Sequence, residues 1–367
     1  MILGIFPEQG GSIAGLARTG QDSRFIHSYL GKYTQAFDKV FYFSYADENP
    51  DVPDNCYVIP NPGHHRWIYT FLLPTIQRQF IEQCDVLRVM QAYGAVPAAI
   101  AKSLYGIPYV ATYGYRYFKN VRAQGMGLPR ACLFRWRARL GARLADKVIV
   151  TTKDMYSYVS PFLSESRILI VPNGVDTTLF QPIKPSPNSL SKTVIFVGRL
   201  SPIKNLFMLI DAIALIRHLE IKLVLVGDGP LRDDLKAHAS QKNVMIDFRG
   251  LAPHHELPSL LGSADVFVLP SLTEGHPKAL LEAMSCALPC VGTKVPGIQN
   301  VLCDGITGLL CEMDAQDLAN KLAYVLSNPA LAATLGSRAR EYVVEGFDLD
   351  SLLEKEIGAM KQIARSK

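Results

Sequence analysis

Twelve short apolar runs, each followed by a stretch with helical spacing, constrain this chain more than any other feature. In the first half they fall at 2–6, 40–45, 86–90, 109–112, 147–151 and 168–171, and in the second at 194–197, 222–226, 244–248, 266–269, 289–292 and 309–311. The runs are rich in Val and Ile, do not alternate apolar with polar, and are bounded by Gly, Pro or Asp. Strands buried on both faces of a parallel sheet have this pattern, because helices cover each side. Helical spacing follows at 95–104, 205–217, 279–286 and 315–326, among others. Strand–helix alternation over the whole length predicts an α/β fold with doubly wound parallel sheets.

A chain of 367 residues is long enough for two such domains. Residues 181–192 are rich in Pro and Ser and lack periodicity, the composition of a linker. The expected organisation is a first domain over 1–175, a linker over 176–192 and a second domain over 193–346. A terminal helix over 347–367 is expected to pack back on the first domain. No apolar run approaches the ~18–20 residues needed to span a bilayer, and residues 1–6 read as a buried strand rather than a leader. The seven cysteines, odd in number and scattered from Cys56 to Cys311, suggest reduced, buried thiols and a cytoplasmic setting. No Cys or His cluster completes a four-ligand metal site.

Charge is uneven. Residues 1–175 carry 19 basic and 12 acidic side chains, a net of +7, whereas the remainder carries 19 and 21, a net of −2. The first domain is thus expected to face an anionic partner. Arg130, Arg135, Arg137, Arg139 and Arg143 share one helical stretch with Leu133, Phe134, Trp136, Leu140 and Leu144. That stretch suggests contact with an anionic membrane surface, at the inner face if the protein is peripheral; an ordinary packed helix with a cationic outer face fits equally. No recognition motif accompanies the basic excess, so nucleic acid is not expected as a partner. The segment His64-His65-Arg66-Trp67 could line an acceptor groove or simply lead into a helix.

The chemistry concentrates at strand ends of the second domain. After the run at 266–269 come Glu274, Gly275, His276, Pro277, Lys278, Ala279 and, eight residues beyond Glu274, Glu282. Pro277 suits a first helical turn, and the free amides of His276, Lys278 and Ala279 could hold a diphosphate. Taken alone, Glu274 would merely complement the helix dipole and Glu282 would be a solvated surface charge. Other strand ends add Gly198, Arg199 and Lys204, then Val226-Gly227-Asp228-Gly229-Pro230, then Arg249, Gly250 and Leu251. Ordinary turns explain each segment, but not the Arg–Lys and Glu–Glu sets together.

These segments, V-G-R-L-S-P-I-K-N, V-G-D-G-P, F-R-G-L and E-G-H-P-K-A-L-L-E, with V-P-N-G-V-D at 171–176, resemble the retaining family-four glycosyltransferases (glycosyl transferases group 1). The likeness is continuous over about 165–330 and confined in the first domain to the Gly10-Gly11 loop and the alternation itself. It implies the GT-B fold, two Rossmann-like domains facing a central cleft. It implies transfer from a nucleotide-sugar donor, with UDP favoured over GDP, to a glycan or lipid-linked sugar acceptor in polysaccharide synthesis. Arg199 and Lys204 would bind the donor diphosphate, Glu282 the ribose, and Glu274 with the amides of 276–279 the sugar. Arg249, Gly250 and Leu251 would frame the base, and Gly11 would approach the phosphates. No metal or other cofactor is implied; Asp348-Leu349-Asp350 matches a D-x-D pattern but is expected to cap a helix. The family's first-domain histidine is absent, since Tyr113 and Gly114 occupy its neighbourhood. A nucleotide-sugar epimerase of related shape and a non-catalytic binding homologue are the competing readings.

Overall fold

The computed structural model describes residues 1–365 except Thr19, Gln124 and 184–191, and leaves side chains at 119, 120 and 123 aside. The chain divides into two compact units, Met1–Pro172 with Asp350–Lys367, and Asn173–Leu349. The first contains seven parallel strands: β1 (Ile2–Phe6), β2 (Lys39–Phe43), β3 (Cys56–Ile59), β4 (Val86–Val89), β5 (Tyr109–Tyr113), β6 (Lys147–Val150) and β7 (Ile168–Ile170). Their order is 3-2-1-4-5-6-7. The second contains six parallel strands: β8 (Lys192–Val197), β9 (Ile221–Val226), β10 (Ile246–Gly250), β11 (Val266–Leu269), β12 (Cys290–Thr293) and β13 (Leu309–Cys311). Their order is 10-9-8-11-12-13. This is the doubly wound architecture that the alternation predicts, of the GT-B type that the resemblance implies.

Each apolar run becomes a strand, and the fully buried β4, β5, β11 and β12 explain why no alternation marks them. One strand escapes the sequence pattern. β3 is four residues long, forms the sheet edge and exposes Tyr57, so a continuous apolar run is not required of it.

Each sheet has one point where strand order reverses, between β1 and β4 and between β8 and β11. Loops leaving the carboxyl ends of those strands diverge and open a crevice, the usual ligand position in such sheets.

Part of the expected linker is structural. Asp176 Oδ1 accepts hydrogen bonds from the amides of Thr178 (3.1 Å) and Leu179 (2.9 Å), and the turn this makes sends Phe180 fully into the second unit's core. Residues 184–191 of that linker lie outside the described residues.

The terminal helix Leu349–Arg365 belongs to the first unit. Its Glu356 is 4% exposed and meets Arg88 of β4 at 2.6 Å and 3.2 Å, while the Tyr33 hydroxyl donates to it at 2.5 Å. Five cysteines are buried thiols as expected; Cys132 and Cys303 are exposed, because each lies on an outward face rather than in a strand.

Candidate active site

Lys204 follows β8 and Glu274 follows β11, so the two strands flanking the reversal of the second sheet bring them together. Lys204 Nζ lies 2.5 Å from Glu274 Oε1, with the side chains 20% and 13% exposed. The opposing charges therefore meet where solvent is partly excluded and attraction is stronger than at an open surface.

Two glycine turns hold the loop that carries Arg199. Gly227, at φ 132°, lies so close to Gly198 that a Cβ would stand 2.0 Å from the Gly198 carbonyl oxygen. A Cβ on Gly229 would stand 2.3 Å from that of Leu200. Leu200 donates to the Asp228 carbonyl at 3.0 Å and accepts from the Leu231 amide at 3.2 Å. The glycines of V-G-D-G-P therefore serve backbone-on-backbone packing. They fix the Arg199 backbone while its side chain stays exposed.

Glu274 is held from three sides. The Ser271 hydroxyl donates to its Oε1 at 2.7 Å, and Thr293 anchors the Ser271 carbonyl at 2.6 Å. The Leu272 amide donates to the Ile203 carbonyl at 2.9 Å, tying this loop to the one bearing Lys204. A Cβ on Gly297 would come within 2.2 Å of the Glu274 carbonyl oxygen, so the segment 296–299 packs directly behind. Gly275 is exposed and has open space around it. Pro277 then stands at the cap position of the helix Lys278–Ser285 and makes no side-chain hydrogen bond to it.

Glu282, one alternative for which was a solvated surface charge, is 4% exposed and inward-facing. His254 Nε2 lies 3.2 Å from its Oε1, and the Phe180 ring packs edge-on against that imidazole at 5.1 Å. His254 and Phe180 carry no motif signal; they matter only because the fold brings them beneath the helix. His276 is 9% exposed, its carbonyl accepts from Asn173 Nδ2 at 2.9 Å, and its ring lies 5.4 Å from Phe347. Burial, with Lys278 adding to it, pushes the imidazole down to about 4, and its Nδ1 has no hydrogen-bond partner.

Farther along the sheet, Arg249 is exposed and pairs with Asp247 at 3.0 Å. Gly250, at φ 68°, offers its carbonyl to the Gly227 amide at 2.7 Å, and Leu251 is exposed. The second unit thus gathers Gly198, Arg199, Lys204, Glu274, Gly275, His276, Pro277, Lys278, Ala279 and Glu282 around one reversal point. Arg249, Gly250 and Leu251 lie along its β10 side. Asp348 accepts from the Thr177 hydroxyl at 2.6 Å and Asp350 pairs with Lys32 at 2.5 Å.

Gly11 lies in the first unit, at that sheet's own reversal. Gly10 takes φ 82°, and the Gly11 amide donates to the Glu8 carbonyl at 2.7 Å. The next amides are occupied: Glu48 accepts from Ile13 at 2.9 Å and Ala14 at 2.7 Å. Tyr113 is fully buried, and a Cβ on Gly114 would lie 3.2 Å from Gln91 Nε2, so Gln91 covers Gly114. His64 and His65 are exposed beside a loop that Asn61 closes through the His64 amide and carbonyl.

The basic helix divides its arginines. Over Leu128–Leu144, Arg137 is 9% exposed, while Arg135 stacks on Phe118 (5.2 Å) and Arg139 on Phe162 (5.0 Å). Arg130 and Arg143 stay exposed, and so do Leu133, Trp136, Leu140 and Leu144. Aromatic rings from distant segments draw the guanidinium groups aside, a contact that helical spacing alone does not reveal.

Comparison with known proteins places this geometry. The family described as Glycosyl transferases group 1 matches residues 180–342, and that described as Glycosyltransferase Family 4 matches residues 14–179. An alpha-maltose-1-phosphate synthase of Mycolicibacterium smegmatis is 28% identical over 312 residues, 77% of this chain and 80% of that protein. An Escherichia coli UDP-Gal:alpha-D-GlcNAc-diphosphoundecaprenol alpha-1,3-galactosyltransferase is 28% identical, covering 75% of this chain and 74% of its own. Among solved structures, a sucrose-phosphate synthase of Thermosynechococcus elongatus superposes with a TM-score of 0.80 at 21% identity, covering 100% of this chain and 99% of that one. Anabaena HepE in complex with UDP and glucose superposes with a TM-score of 0.76 at 20% identity, covering 98% and 99%. These structural likenesses concern the fold.

Proposed function

Since the chain belongs to the family-four glycosyltransferases, we propose that it is a retaining, metal-independent hexosyltransferase. It moves a sugar from a nucleoside-diphosphate donor to a glycan or lipid-linked acceptor in polysaccharide synthesis. The observation that carries this reading is the Lys204–Glu274 pair at the sheet reversal, with Arg199 on a rigid loop beside it. A donor diphosphate gains negative charge as its bond to the sugar breaks, and fixed cations stabilise that charge without reorganising. Arg199 and Lys204 supply two of them, the work a divalent cation does in other transferases, and the amides of His276, Lys278 and Ala279 supply neutral donors.

Glu274 accepts from donor-sugar hydroxyls and Glu282 from the ribose, while Arg249, Gly250 and Leu251 frame the base. The sugar–diphosphate bond breaks with its electron pair passing to the phosphate oxygen. The acceptor oxygen bonds to the sugar carbon, and its proton passes to the departing phosphate. UDP is favoured over GDP; the E. coli relative, whose name specifies a UDP-sugar, supports the choice. Among the described residues no helix is long and apolar enough to cross a membrane; the proposed setting is cytoplasmic, peripheral at the inner membrane face.

Calorimetric titration with UDP and GDP in excess EDTA tests the reading. UDP binds undiminished by the chelator, and Lys204→Ala weakens it about tenfold, the loss of one charge-assisted bond. Binding that vanishes with EDTA refutes metal independence, and tighter GDP binding refutes the choice of base.

A further inference from the structure

The apolar residues exposed on the Leu128–Leu144 helix form one wall of a groove in the first unit. The helices Arg66–Ile76 and Val96–Tyr105 form the others. The groove has a volume of about 540 Å³ and is lined by Trp67, Phe71, Leu133, Trp136, Leu140 and Leu144, with Ala99 also in its lining. That size is within the ~300–1,000 Å³ of ordinary small-molecule sites. From Val96 to Ser103 it extends seven residues along a helix, roughly 10 Å at 1.5 Å per residue.

One charged group interrupts the lining, which is otherwise apolar apart from Ser103. Arg137 faces the groove and is 9% exposed, and its Nη2 is buried with no hydrogen-bond partner. Its Nη1 donates to Gln9 at 2.8 Å, a neutral acceptor, and Trp67 stacks over it at 5.4 Å. No carboxylate pairs with it among the described residues. A buried guanidinium without an anion is costly, and an unsatisfied buried donor calls for a missing acceptor. Gln9 follows β1, so this charged position lies beside the loop of Gly10 and Gly11, at the strand ends where acceptor chemistry belongs.

We propose that this groove binds the hydrocarbon chain of a single-chain lipid phosphate, whose phosphate is received by Arg137. The inference rests on the acceptor class of the proposed function and narrows it to a phosphate-bearing lipid. The chemistry of both parts agrees: Trp, Phe and Leu walls desolvate a chain, and Arg137 supplies the counter-charge at its head. Burial lowers the ionisation of Arg137 from its ordinary range, the direction that a bound anion reverses. A second copy of the chain is a poor occupant, because isologous contact would set two units of net charge +8 against each other.

The chain's two tryptophans, Trp67 and Trp136, both line this groove, so intrinsic fluorescence reports on it alone. The full-length protein is titrated with farnesyl phosphate below its aggregation limit, and with farnesol and inorganic phosphate as partial ligands. Farnesyl phosphate shifts the emission to the blue and saturates at one equivalent; farnesol binds about tenfold or more weakly, and inorganic phosphate gives no shift. Arg137→Gln erases the preference for the phosphate while keeping farnesol binding, and Ala99→Phe, which adds bulk to the lining, abolishes both. No saturable shift, or equal affinity for farnesol and farnesyl phosphate, overturns the proposal. So does a shift obtained only with anionic vesicles, which would make the face a membrane contact, or a dimer that farnesyl phosphate leaves intact. UDP calorimetry on the same variants separates this inference from the donor reading: intact UDP binding without lipid binding refutes the groove alone, and the converse refutes the donor site alone.

Discussion

Replacing Glu274 by glutamine keeps the side chain's shape and a carbonyl for the Ser271 hydroxyl, but removes the charge that faces Lys204 at 2.5 Å. In the ligand-free protein a diphosphate must take Lys204 away from that carboxylate. Exposed ion pairs are worth about 0.2–1 kcal/mol, while breaking fully buried ones costs about 3–5 kcal/mol. Exposures of 20% and 13% place this pair between the two, and roughly 1–2 kcal/mol is a reasonable share of the competition. Glu274→Gln should therefore bind free UDP about 5- to 30-fold more tightly than the wild type. Transfer should move the opposite way. A charged hydrogen bond to a sugar hydroxyl is worth about 1.5–3 kcal/mol, so kcat/KM should fall roughly 10- to 100-fold. Calorimetry with UDP and steady-state kinetics with a UDP-sugar measure the two effects. In Lys204→Ala/Glu274→Gln the gain in UDP affinity should disappear, because no cation remains to be released. If Glu274→Gln weakens UDP as much as Lys204→Ala does, the carboxylate positions the diphosphate itself and the division of roles is wrong.

Two further outcomes follow from the same site. His276 is held neutral, its ionisation lowered from about 6.5 to about 4 by burial. Between those values the unfolded chain binds a proton that the folded one refuses, so stability falls as pH drops through that window, by up to roughly 3 kcal/mol. His276→Phe should flatten the Tm–pH profile between pH 6.5 and 4 and leave it unchanged above 7; an unaltered acid limb would place the sensitivity elsewhere. Gly229→Ala forces a Cβ against the Leu200 carbonyl, which a Cβ would approach to 2.3 Å, and so displaces the Arg199 loop. UDP affinity should fall several-fold while Gly275→Ala, in open space, is near neutral; comparable losses in both would show that crowding at Gly229 does not set Arg199.

The strands buried on both faces were legible because each must be apolar throughout, whereas β3 was not, since an edge strand can expose Tyr57. The charged positions of the candidate site were legible as residue types at strand ends. Their pairing was not: Lys204 and Glu274 are 70 residues apart and meet only because β8 and β11 are neighbours. Glu282 illustrates the same gap. Eight residues after Glu274, it has no sequence feature that distinguishes a solvated carboxylate from one buried against His254. The arginine helix was only half legible for a related reason. Composition reports charge, but which face carries it depends on Phe118, Phe162 and Trp67, aromatic partners contributed by other segments.

The return of the terminal helix to the first unit has a consequence for how the chain is made. Arg88 sits on β4, near the middle of the first sheet, and its carboxylate partner is residue 356. During synthesis from the amino terminus, every strand of the first unit emerges long before that partner exists. The second unit, which ends at Leu349, is complete earlier. The ordinary sequence of folding, in which the domain made first is finished first, is thus inverted here. Until residue 356 emerges, Arg88 lacks the carboxylate that compensates its guanidinium, and a ribosome stalled short of that residue would hold a finished second unit and an unfinished first one.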